Sequence, residues 1–150
     1  MTTVETQIEE LEKMRSRWLL INLIGFVLWD GFRIFDSYLI EGGLATHFQI
    51  IYLFGWLTWT LGLVQLTRLG FKAKKVRQAS QILNDELVEL YRLKSWRLAL
   101  FVVLITQVVI IALSFLSFDV SGILSAEISI FAAVTAALSA FTYYQIFTND

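Results

Sequence analysis

The chain contains no cysteine and no proline, and only one histidine and two methionines among its 150 residues. Without cysteine there is no disulfide, no thiolate metal site and no redox-active thiol. His47 and the two methionines supply no set of axial ligands for a haem. Neither a Ser-His-Asp nor a Cys-His set can be assembled, and no phosphate-binding glycine loop or metal-ligand cluster is present. The residues therefore predict a protein that is not an enzyme and needs no cofactor or metal. Proline is frequent at kinks and breaks of membrane helices, so its absence predicts straight, continuous helices.

Charge is missing over long stretches. Residues 98–118, 48–67 and 128–148 carry none, and residues 18–40 form a fourth, less pure apolar run. About 20 apolar residues in a helix cross the roughly 30 Å hydrocarbon core of a bilayer. With 57% hydrophobic residues and a mean hydropathy of +0.65, little of the chain is left for a soluble domain. The expected fold class is an all-α integral membrane protein, a single domain over residues 1–150. Its four spans are placed at about 18–40, 47–69, 96–118 and 125–147. Residues 1–17 hold Glu5, Glu9, Glu10 and Glu12. They do not resemble a signal peptide, and the first span is expected to be retained.

Eleven of the twelve basic residues fall before the first span or between the second and third; only Arg33 lies elsewhere. By the positive-inside rule this places both termini and the 71–95 connection in the cytoplasm, in a cell membrane. So one-sided a bias argues against a chain that inserts in both directions. Within the connection, Val76, Ala79, Leu83, Leu87 and Leu90 recur in steps of three and four, the mark of an amphipathic helix over about 76–95. Val4, Ile8 and Leu11 form a similar stripe before Trp18. The two helical extensions are expected to pack together or to recruit a protein partner on the cytoplasmic side; the alternative is that they lie at the lipid headgroups. Leu11–Ser16 aligns with Leu90–Ser95, each followed by a tryptophan, which suggests parallel duplication of a helical hairpin. Trp18, Trp96, Tyr143 and Tyr144 suit the interfacial aromatic belt.

Candidate functional residues cluster in the first span. Asp30, Arg33 and Asp36 are spaced by three, which makes them neighbours on one helical face, and Asn22 extends that stripe. Counting about 1.5 Å per residue from Arg17 puts Asp30 roughly 20 Å into the membrane. Charges at such depth are costly, so Asp30 is expected to pair with Arg33 and to face the bundle interior or water. One reading makes these residues, with Gln107, part of a cation or proton pathway. Glu41, Asp119 and Glu127 would then form an outer acidic rim with Asp36. The other reading makes Asp30 and Arg33 a self-neutralising pair that fixes packing. Ser129, Ala133 and Ala137 in the fourth span, and Gly55 and Gly62 in the second, are spaced for close helix packing, in the bundle and in a homo-oligomer. The expected partners are the lipid bilayer, further copies of the chain and a cytoplasmic protein, with no nucleic acid. A small oligomeric channel or transporter is one functional expectation; a non-catalytic interaction, assembly or signalling subunit is the other.

Overall fold

The computed structural model describes residues 3–39, 46–75, 86–116 and 120–147. It is all-helical. Helix α1 (Thr3–Phe26) passes through a π-helical turn (Val27–Gly31) into α2 (Phe32–Leu39). Helices α3 (Thr46–Lys75), α4 (Glu86–Phe115) and α5 (Gly122–Phe147) follow. Four of these segments are long and apolar enough to cross a membrane: Glu9–Asp36, Gln49–Lys72, Val88–Phe115 and Gly122–Ile146. They are compatible with a multi-pass membrane protein. Helix α1 begins at Thr3 and α4 at Glu86, ahead of Trp18 and Trp96. Residues 76–85, most of the expected amphipathic helix, lie outside the described residues.

The helices pack as a row, α3 against α1, α1 against α5, and α5 against α4. Among the described residues α3 and α4 share no packed seam. All three seams are antiparallel. Along the first, a Cβ on Gly62 would meet Asn22, one on Gly25 would meet Trp59, and one on Gly55 would meet Trp29. Along the second, Arg15 lies over Phe141, Phe26 stacks on Phe131, and Arg33 reaches Glu127. Along the third, Tyr91 stacks on Tyr144 and Gln107 meets Ser129. Alternating direction gathers the basic residues of α1, α3 and α4 at one end, the basic end. The π turn, α2 and the start of α5 lie toward the other.

Small residues set these separations. A Cβ on Gly25 would fall 2.5 Å from the backbone N of Trp59, and one on Gly55 would fall 2.6 Å from the N of Trp29. Neither position accommodates a side chain without moving a helix backbone. In the α4–α5 seam Ser95 and Ala99, each 3% exposed, do the same work for α4. The outward faces are different in kind: Phe54 on α3 and Phe101 on α4 are both 64% exposed, among many other bare apolar side chains. Continuous apolar surface of this extent is ordinary against lipid and untenable in water.

Absence of proline predicts regular helices throughout, and the first span departs from that expectation. A π turn inserts one extra residue into an α-helical path and widens it. Here regular geometry resumes at Phe32, whose N–H is shared between the carbonyls of Leu28 and Trp29. The turn sits where the backbone of α3 presses in at Gly55, against Trp29. Close helix contact accompanies the distortion, a tertiary feature that residue composition does not carry.

Candidate functional site

The π turn presents Asp30 inward, and the first turn of α2 presents Arg33 beside it. Arg33 Nε donates to Asp30 Oδ1 at 2.8 Å, while Arg33 Nη1 donates to Glu127 Oε1 on α5 at 2.9 Å. The side chain of Asp30 is 8% exposed, that of Glu127 25% and that of Arg33 33%. Three charged groups from two helices thus form one network, open to the surroundings only on the guanidinium and Glu127 side. Guanidinium is suited to this role because its fixed fork of donors serves two carboxylates at once. In their ordinary charge states the three groups sum to one negative charge, so Asp30 and Arg33 are not an isolated neutral pair.

An aromatic layer adjoins the network on the side toward the basic end. Trp29 and Trp59 stack with centroids 4.7 Å apart, Phe26 and Phe131 stack at 5.9 Å, and Phe26 meets both indoles at 6.2 Å. Phe131 lies one helical turn beyond Glu127 on α5. A Cβ on Gly31 would already sit 3.3 Å from its ring. The junction of α1, α3 and α5 is therefore filled by four rings immediately next to the charges. Offset and edge-on ring contacts of this sort add about 0.5–1.5 kcal/mol per pair beyond the area buried.

The remaining polar candidates bridge helices. Asn22 is 2% exposed and donates from Nδ2 to the carbonyl of Trp59 at 3.1 Å. Gln107 Nε2 donates to Ser129 Oγ, Ser129 Oγ donates to the Ser125 carbonyl at 2.7 Å, and Ser125 Oγ donates to Gln107 Oε1 at 3.4 Å. Gln107 is thus engaged in the α4–α5 seam, one helix removed from Asp30. Asp36 is exposed on α2. Glu41 and Asp119 lie outside the described residues. Glu127, expected in an outer rim with them, is bonded to Arg33. Ala133 and Ala137 are half-buried, and follow Ser129 at four-residue steps. Among the described residues no three His, Cys, Asp or Glu side chains converge as metal ligands.

Two features of the site carry weak signals in the sequence. Gly25 lies three residues from Asn22 and four before Trp29, on the stripe that carries Asn22, yet nothing local marks it as the closest helix approach. Glu127 resembles any acidic residue at the start of a helix; its ion pair spans ninety-four positions of sequence. No protein-family model matches the chain, and neither does any curated protein or solved structure among those compared.

Proposed function

We propose that this protein is a non-catalytic membrane interaction or assembly subunit, in which the Asp30–Arg33–Glu127 network acts as a clasp between helices. The observation that carries this reading is the aromatic layer of Phe26, Trp29, Trp59 and Phe131 beside the network. It fills the seam that a path through one protomer would have to follow. The polar side chains of Asn22 and Gln107 bond neighbouring helices, which is how such groups commonly serve packing within lipid. Meanwhile α3 and α4 present open apolar faces at the two edges of the row, free for further copies or another membrane protein. In this reading the chain is a homo-oligomer of the cell membrane. Both termini are cytoplasmic, and the helical extensions before Trp18 and Trp96 are available to a protein partner.

A specific observation favours a second reading, a cation or proton channel or transporter. A buried carboxylate at a π turn, in a network with one excess negative charge, is a form that ion pathways take. Any such pathway would run between protomers, around the aromatic layer. Flux through the purified protein in liposomes tests both readings. The interaction reading expects proton and potassium flux equal to that of protein-free liposomes, together with discrete protein adducts from a photocrosslinker at Phe101 in cells. Flux that Asp30→Asn abolishes would replace it with the transport reading.

A further inference from the structure

We propose that the seam between α1 and α5 opens at the basic end, with Arg15 as its strap, and admits water along α5 to Thr142 and then Thr135. This seam joins the two helical hairpins, α1–α3 and α4–α5, and it is packed differently from the seams within them. Within the first hairpin, backbones approach so closely that a Cβ on Gly25 would fall 2.5 Å from the N of Trp59. Within the second, Ser95 and Ala99 are each 3% exposed. Hydroxyls there are bonded: Ser95 Oγ donates to the Tyr91 carbonyl at 2.8 Å, and Ser129 Oγ to the Ser125 carbonyl at 2.7 Å. Between the hairpins, side chain meets side chain. Phe26 stacks on Phe131 and Arg33 bonds Glu127 toward the far end, while at the basic end the Arg15 guanidinium lies 5.6 Å from the centroid of the Phe141 ring.

Two hydroxyls distinguish the inter-hairpin seam further. Thr135 and Thr142 follow Phe131 by four and eleven residues, which places them on the stripe of α5 that faces α1. Thr142 is 4% exposed, and both Oγ1 atoms are buried without a hydrogen-bond partner. Thr60, Thr67 and Thr106, by contrast, each donate to the carbonyl four residues back in their own helix. A buried hydroxyl without a partner is costly, and hydration removes that cost. The closed seam is therefore favoured less than its neighbours, and it yields first at the end where water stands. The Phe26–Phe131 stack and the Arg33–Glu127 pair hold the far end and act as the hinge. Arg15 over Phe141 holds the basic end, through a contact weak enough to break and re-form.

The chain has no cysteine of its own, so single introduced cysteines report the opening directly. The full chain in micelles is treated with hydroxyethyl methanethiosulfonate, a thiol reagent that is uncharged and water-soluble. Thr142→Cys should react at about 0.1–10% of the rate of Tyr143→Cys, its exposed neighbour, the share expected of a minor open state. Thr135→Cys, two turns further from the basic end, should react more slowly than Thr142→Cys. Ser95→Cys, as deeply buried but in the α4–α5 seam, should react more slowly still. Arg15→Gln should raise the Thr142→Cys rate about two- to thirtyfold, the weight of one cation–ring contact, and leave Ser95→Cys unchanged. If Arg15→Gln does not purify, Phe141→Leu removes the same contact and should raise the rate likewise. The proposal is overturned by a Thr142→Cys rate no higher than that of Ser95→Cys, by faster reaction at Thr135→Cys than at Thr142→Cys, or by a rate indifferent to loss of the Arg15–Phe141 contact.

Discussion

Arg33 and Glu127, ninety-four residues apart, are joined at 2.9 Å, and through Arg33 the buried Asp30 is tied to a helix that local sequence gives it no reason to meet. This relationship changes what mutation of the first span should do. For a neutral Asp30–Arg33 pair, removing both charges would restore most of the stability lost by removing one. With Glu127 in the network, the double variant Asp30→Asn/Arg33→Gln leaves a carboxylate uncompensated. Arg33→Gln should be the most damaging single change, near the low end of the roughly 3–5 kcal/mol typical of broken buried pairs, since its side chain is one-third exposed. Glu127→Gln should be milder. Only the triple variant, Asp30→Asn/Arg33→Gln/Glu127→Gln, should recover stability. Thermal unfolding in detergent checks this order, and full recovery in the double variant would show Glu127 to be uninvolved.

The π turn is expected to absorb one extra residue without turning α2. Deleting Val27 should return the segment to α-helical geometry and leave Arg33 facing α5, because the widened turn already offsets that residue. Stability should then fall far less than in Arg33→Gln. A loss as large as in Arg33→Gln would mean that the turn itself positions the network.

Glycine substitutions should separate contact from chemistry. Gly25→Ala adds a Cβ at 2.5 Å from the Trp59 backbone, and should cost about 1–3 kcal/mol as an overpacked position. Gly70→Ala meets nothing within 4 Å and should be neutral or slightly stabilising, because alanine is the better helix former. A small effect at Gly25, measured as the shift in unfolding temperature, would mean that α1 and α3 separate easily.

In the α4–α5 seam, Ser129→Ala should cost about 1 kcal/mol by removing a hydroxyl that bridges Gln107 and the Ser125 carbonyl. Ala137→Leu tests the same stripe by size. A loss of thermal stability without change in the subunit count would place Ala137 inside the protomer, and a changed subunit count would place it between protomers.

Orientation is checked by labelling. Cysteine introduced at Gly122 should react with an impermeant thiol reagent in intact cells, and cysteine at Glu9 should react only after lysis. The reverse pattern would invert the protein in the membrane.

Four apolar helices were legible because each follows from a local quantity. A run of about 20 residues without charge has one low-energy conformation in hydrocarbon, and needs no knowledge of its neighbours. The Asp30–Arg33 contact was legible for the same reason, since residues three apart on a helix are neighbours whatever surrounds them. Tertiary structure alone decided the rest. Asp36 has the same spacing from Arg33 as Asp30 does, yet Arg33 turns to Glu127, because antiparallel packing of α1 on α5 brings that carboxylate within reach. Gln107, an equally good pathway residue in sequence, bonds Ser129, because among the described residues α4 packs chiefly against α5. The π turn has no proline to announce it, and lies where the α3 backbone comes close at Gly55. Spacing along one helix fixes which residues share a face; which helix that face meets depends on packing between segments far apart in the chain.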